Sequence, residues 1–181
     1  MKKIERCVNS LEDCIISEQN KINCVLLVGG SKTKGITPSL GTFLLAKEQT
    51  NLEIICLLRP QEKNDNLNYD IETMFLDAKL FLEEDVFGLA FSFINNDKTI
   101  DFENTNKMIK LIHSYGKKAF FYCDLNQIDE QIKKLFINGI DYLLINDFDI
   151  KNRNDLIFQL LEKYHNKIEV IQGVNKYIRY N

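Results

Sequence analysis

Apolar residues along this chain come in short continuous runs, separated by longer stretches in which they recur every three or four positions, and the two patterns alternate throughout. A short apolar run bounded by polar residues reads as a strand buried on both faces, whereas a 3.6-residue period reads as a helix with one buried stripe. On this basis strands are predicted at 4–8, 24–28, 53–58, 88–94, 118–123, 142–146 and 168–172, and helices at 11–19, 39–50, 70–84, 104–115, 127–138 and 153–164. The punctuation agrees. Ser10 followed by Asp13 resembles a capping box, Thr37-Pro38 supplies an N-cap and a first-turn proline, and Gly116 and Gly139 stand where helices stop. Ile71, Met74, Phe75, Ala78, Phe81 and Leu82 mark one buried stripe on the third helix.

Strict alternation of nearly all-apolar strands with helices predicts a parallel sheet covered by helices on at least one side. An open doubly wound sheet usually carries a glycine-rich phosphate turn after its first strand, and Val8-Asn9-Ser10-Leu11 has none. The expectation is therefore an α/β protein with a TIM-type (β/α) barrel of about seven parallel strands, incomplete because a full eight-unit barrel takes about 250 residues. One domain over 1–181 is expected, one unit short at its C-terminal end.

Composition narrows the function classes. At 45% hydrophobic and 27% charged, the chain can bury one substantial core. The formal charge of −3 comes from 26 acids and 23 bases scattered along it, so no basic stripe suits a nucleic-acid backbone. With no uninterrupted apolar stretch of roughly 18 residues and no leader-like start, a cytoplasmic protein without membrane contact is expected. The five cysteines lack any C-x-x-C spacing and are read as reduced thiols, not as a disulfide framework or structural zinc site.

Several strings, in order, resemble the CutC (copper homeostasis) family. They are Ile4-Glu5-Arg6-Cys7-Val8-Asn9-Ser10, the loop Gly35-Ile36-Thr37-Pro38-Ser39-Leu40-Gly41, and Leu57-Leu58-Arg59-Pro60 followed by Asp65. Gly139-Ile140-Asp141 and the segment 168–175 fit that family's later strands. The resemblance implies a TIM barrel and a role in copper homeostasis, with copper(I) as candidate ligand. It also marks departures. The family's Glu-Leu-Cys at the end of strand two is Leu26-Leu27-Val28 here, its strand-three histidine is Ile55, and a His-Arg pair in strand five is Phe120-Phe121. The chain reads as a divergent, C-terminally shortened member with a degraded site.

In such barrels the site forms at the C-terminal ends of strands. Glu5, Thr37, Arg59, Asp65 and Asp124 are the candidate ligand-binding residues there. Glu5 and Cys7 share a strand face, and a Glu5–Arg59 ion pair is the plain structural reading of that carboxylate. Copper(I) needs soft donors close together. Cys7 matches a family cysteine proposed for copper, and Cys123 is the candidate second ligand, against the reading of both as unrelated buried thiols. His113 and His165 fall on or just past helices, away from the strand ends, and no Ser-His-Asp or Cys-His arrangement supports catalysis. The alternative to copper is a degenerate barrel that binds a small metabolite at the Glu5/Arg59/Asp65 mouth or acts as a scaffold. Two unpaired sheet edges would favour a homodimer.

Overall fold

The computed structural model describes residues 6–30, 35–61, 68–122, 129–146 and 168–171. Within them the chain forms β1 (Arg6–Val8), α1 (Leu11–Gln19), β2 (Cys24–Leu27), α2 (Leu40–Gln49), β3 (Glu53–Leu57), α3 (Asn68–Glu83), β4 (Gly88–Phe91), α4 (Phe102–Ser114), β5 (Lys118–Tyr122), α5 (Asp129–Ile137), β6 (Tyr142–Asn146) and β7 (Ile168–Ile171). The sixth predicted helix lies outside the described residues.

All seven strands join one sheet in chain order, and every neighbouring pair is parallel. That order decides the architecture. Right-handed crossovers that always step to the next strand in the same direction put every helix on the same face, whereas a doubly wound sheet needs a reversal of strand order. The other face has only itself to pack against, so the sheet curls into an incomplete α/β barrel, as the alternation predicted.

Two apolar clusters follow. Between sheet and helices lie Val8, Val25, Leu27, Ile54, Cys56, Leu89, Phe91, Ala119, Phe121 and Leu143, packed against helix residues such as Phe43, Met74, Phe81, Met108 and Ile112. Alternate positions on the same strands form the inner cluster of Cys24, Leu26, Val28, Ile55, Leu57, Ala90, Phe120 and Leu144, joined by the partly buried Cys7, Phe87, Tyr122 and Tyr142. The period of two in a strand sorts the residues between these cores. Phe120 and Phe121 therefore do not act together: Phe120 fills the interior and stacks on Tyr142 at 5.0 Å, while Phe121 lies under the helices against Phe91.

Local chemistry corrects three boundaries. The cap of α2 is Ser39, whose hydroxyl accepts from Thr42 N at 3.1 Å, and not Thr37, which is committed elsewhere. Helix α4 starts two residues earlier than its apolar spacing suggests, because the Asp101 carboxylate accepts from Asn104 N at 3.0 Å. Strand β4 stops at Phe91, and Ile94 instead pairs antiparallel with Ile100 across a turn in which Lys98 takes φ 66°. Gly116 and Gly139, at φ 70° and 98°, end α4 and α5 as predicted.

Two buried polar atoms in α4, the Thr105 hydroxyl and Asn106 Oδ1, have no hydrogen-bond partner. Thr105 is fully buried and its hydroxyl has no hydrogen-bond partner. Replacing it with the isosteric valine removes an unsatisfied polar atom without changing volume. Thr105→Val is expected to raise the unfolding free energy by about 1 kcal/mol, read as a higher urea midpoint at unchanged slope.

Candidate functional site

The segment after β2 turns back on itself at the C-terminal end of the barrel. Gly29 and Ile36 exchange backbone hydrogen bonds of 2.7 and 3.0 Å, and Val28 N donates to Val8 O at 2.9 Å. A side chain at position 29 would put its Cβ 2.7 Å from Thr37 O, so only glycine allows this close return.

Thr37 then locks the loop to the end of β3. Its backbone N–H donates to Arg59 O, its hydroxyl oxygen accepts from Arg59 N, both at 2.8 Å, and the hydroxyl donates to the Asp77 carboxylate. Burial pushes the Asp77 carboxyl above its ordinary value, and the Thr37 bond partly offsets this. Thr37 and Arg59 thus meet, as expected of a shared rim, through the backbone of Arg59. The hydroxyl proton of Thr37 is already committed to Asp77, a residue the candidate set omitted. Its signal lay in the helix period, since Asp77 stands three residues after Met74 and four before Phe81, on the margin of the buried stripe. Beside this rim Gln61 donates to Asp70 on the first turn of α3. The candidates Glu5, Asp65, Cys123 and Asp124 lie outside the described residues, and with them the proposed Glu5–Arg59 pair.

All but one of the departures from the family pattern map onto the inner face, the exception being Phe121 under the helices. Leu26, Val28, Ile55 and Phe120 are all buried side chains of the barrel interior. What was changed at these positions is the chemistry of the inner face, which is now hydrocarbon over most of its extent.

Two inner positions keep a thiol. Cys7 on β1 packs against the inner cluster and Cys24 on β2 belongs to it, whereas Cys14 and Cys56 lie on the helix side. Cys7 pairs in register with Leu26, so Cys24 is its diagonal neighbour on the adjacent strand, two residues back. Burial, with the charge of Asp13 as a lesser cause, pushes the Cys7 thiol up to about 12. A metal bound there must displace a proton. Among the described residues no group of three or more His, Cys, Asp and Glu side chains is gathered for a metal. The donors that do exist are the two sulfurs and, in register beside Cys24, the Glu53 carboxylate, one oxygen of which is buried without a hydrogen-bond partner. The sulfurs suit a soft ion such as copper(I), and the carboxylate suits a harder one. Cys24 went unnoticed because it sits inside an apolar run, where a cysteine reads as a small hydrophobe.

The opposite end of the barrel carries a structural cluster. Asp141, just before β6, accepts from Ala119 N at 2.9 Å, His113 Nε2 stands 2.8 Å from it, and Lys118 Nζ donates at 3.1 Å. Burial pushes its carboxyl up, but the Ala119 N–H, His113 and Lys118 together outweigh that and leave it below its ordinary 3.8. A lowered carboxylate stabilises the fold at pH above its unfolded value, and that stability is lost as pH falls through the folded value. Asp141→Asn is therefore expected to cost about 1–2 kcal/mol at neutral pH, and the gap from the parent should close below the carboxylate range, as followed by urea unfolding across pH.

No described helix is long and apolar enough to cross a membrane. Among solved structures, a putative copper homeostasis protein CutC from Streptococcus agalactiae superposes with a TM-score of 0.78 at 20% identity, covering 94% of this chain and 86% of that one. A putative lyase/mutase from Burkholderia cenocepacia gives 0.69 at 10% identity, over 99% of this chain and 70% of the other. Both likenesses establish the barrel fold. In sequence, the family protein CutC of Treponema denticola is 30% identical over 177 residues, covering 94% of this chain and 71% of that protein. The copper homeostasis protein cutC homolog of Drosophila melanogaster is 28% identical, over 94% of this chain and 68% of its own length. The CutC family pattern itself matches residues 2–176. With the fold, the near full-length match and the loop of residues 35–41 in agreement, the chain belongs to the CutC family.

Proposed function

We propose that this protein serves copper homeostasis, the role for which its Drosophila relative is named. The observation that carries the reading is the family match over 2–176, which spans both the barrel interior and its C-terminal rim. In this reading Thr37 and Arg59, with Glu5, Asp65 and Asp124, make up the polar rim through which a ligand reaches the interior. The protein works in the cytoplasm.

The test is genetic and elemental. Deleting the gene in its source organism is expected to change total cell copper by at least twofold and to lower copper tolerance, with both restored by the intact chain. Unchanged copper content and tolerance would overturn the reading.

A second reading, a small-metabolite binder or scaffold without copper, is favoured by the hydrocarbon inner face around Leu26, Val28, Ile55 and Phe120. It requires that a metabolite raise the melting temperature of the parent and not of Arg59→Ala. Strands β1 and β7 stand at the two ends of the sheet order. Self-association through these edges makes the working unit a homodimer, and a single monomer boundary in sedimentation velocity would contradict it.

A further inference from the structure

We propose that the outward stripe of α3 is a docking face for a second copy of this chain, the two α3 helices running antiparallel about a two-fold axis at Leu76. The inference is independent of the copper reading. It also uses a surface apart from the sheet edges, since α3 crosses between β3 and β4 in the middle of the sheet order.

The helix period divides α3 into two stripes. Met74, Ala78, Phe81 and Leu82 are buried in the core under the helix, while Glu72, Leu76, Lys79, Leu80 and Glu83 lie on the other side and are exposed. Leu76 is 60% exposed, Leu80 is 39% exposed, and Leu45 on the neighbouring α2 is 45% exposed. The two helices are held side by side, because Phe43 meets the Phe81 ring edge-on at 5.5 Å and Lys47 Nζ donates to Glu84 O at 2.7 Å. Single leucines scattered over a surface need no explanation. Two leucines one turn apart with a third on the adjoining helix form a patch, which marks an interaction surface.

The charges on the stripe select the occupant. Glu72 and Lys79 stand two turns apart, beyond the reach of a pair within one helix, and neither joins an ion pair among the described residues. They flank Leu76, four residues before it and three after. A second α3 laid antiparallel with Leu76 on Leu76 therefore brings Glu72 of each copy to Lys79 of the other, so one placement yields an apolar contact and two ion pairs. Sliding the partner by one turn sets Glu72 against Glu83 and Leu76 against Lys79. A parallel pairing sets each charge against its own kind. Both alternatives are penalised by like-charge repulsion, and the antiparallel register is the one the pattern fits.

The experiment is sedimentation velocity of the full chain over about 1–300 μM, a range suited to the weak affinity of an interface smaller than the usual size of about 1,600 Å². It compares the parent with Leu76→Arg, Glu72→Lys, Lys79→Glu and the double variant Glu72→Lys/Lys79→Glu. All three positions are exposed, so the variants should fold as the parent does, with circular dichroism melts as the control. The expected result is reversible association of the parent, weakened at least tenfold by Leu76→Arg and by each single charge reversal. In the double variant both members of each pair exchange sign, and association should return to within about threefold of the parent. Association undiminished in Leu76→Arg would overturn the proposal and leave the sheet edges as the contact. A double variant no stronger than the single reversals would overturn the antiparallel pairing. A parent that stays monomeric across the range would overturn this contact and the edge-mediated dimer together, whereas a parent tetramer that falls to a dimer in Leu76→Arg would support both.

Discussion

Gly88→Ala should prevent stable folding, or lower stability by at least about 3 kcal/mol, an overpacking cost at the upper end of what core substitutions show. Gly88 opens β4 and is buried in the sheet between Ile55 and Lys118. A Cβ built there would lie 2.6 Å from the edge of the Phe120 ring and 2.8 Å from Lys118 O. Even if the ring swings aside, the carbonyl belongs to the adjoining strand and can move only if the β4–β5 pairing opens. The substitution Gly41→Ala supplies the contrast. Gly41 lies in the first turn of α2 with nothing within 4 Å of the added Cβ, so alanine there should stabilise by about 0.5–1 kcal/mol. Urea unfolding of both variants checks the pair. Equal and mild effects would mean that Phe120 does not lie across β4 as described.

Phe120→Ala should cost about 3–5 kcal/mol, the range for emptying a buried aromatic site. Phe120 is fully buried and stacks on Tyr142 with ring centroids 5.0 Å apart, and the inner cluster closes around it. Its effect measures how far the interior has become a second core. A barrel interior kept open for a ligand would lose little when Phe120 is trimmed. One filled by its own side chains cannot collapse to heal the cavity, because every neighbour is fixed to a strand. Putting the family's histidine at this position, Phe120→His, should also destabilise, since the imidazole enters a face lined largely by Leu57, Ala90 and Leu144. Guanidinium unfolding of the two variants side by side decides it.

Part of the candidate site was readable in the linear sequence and part was not. Cys7 was legible because its string matches the family's first strand. Thr37 and Arg59 were legible because each ends or follows a strand. Asp77 was not, because its relation to Thr37 crosses 40 positions of sequence and depends on how α3 lies against the loop before α2. Cys24 was readable only as an apolar residue. Its face becomes meaningful once Cys7 is paired with Leu26 and not with a neighbour one step away, since a shift of one residue would send it under the helices.

By itself the sequence determined the alternation of strands and helices, the parallel sheet, the helix stops at Gly116 and Gly139 and the kinship with the CutC family. Each of these follows from local periodicity, backbone preference or short strings of residues. Only the tertiary structure decided which of two adjacent phenylalanines fills the barrel, that Thr37 fastens a loop to β3 while Ser39 caps the helix, and that two thiols 17 positions apart share an inner face. Those outcomes depend on strand register and on which face of the sheet the helices cover. Both are settled by packing between distant segments, and no window of neighbouring residues encodes them.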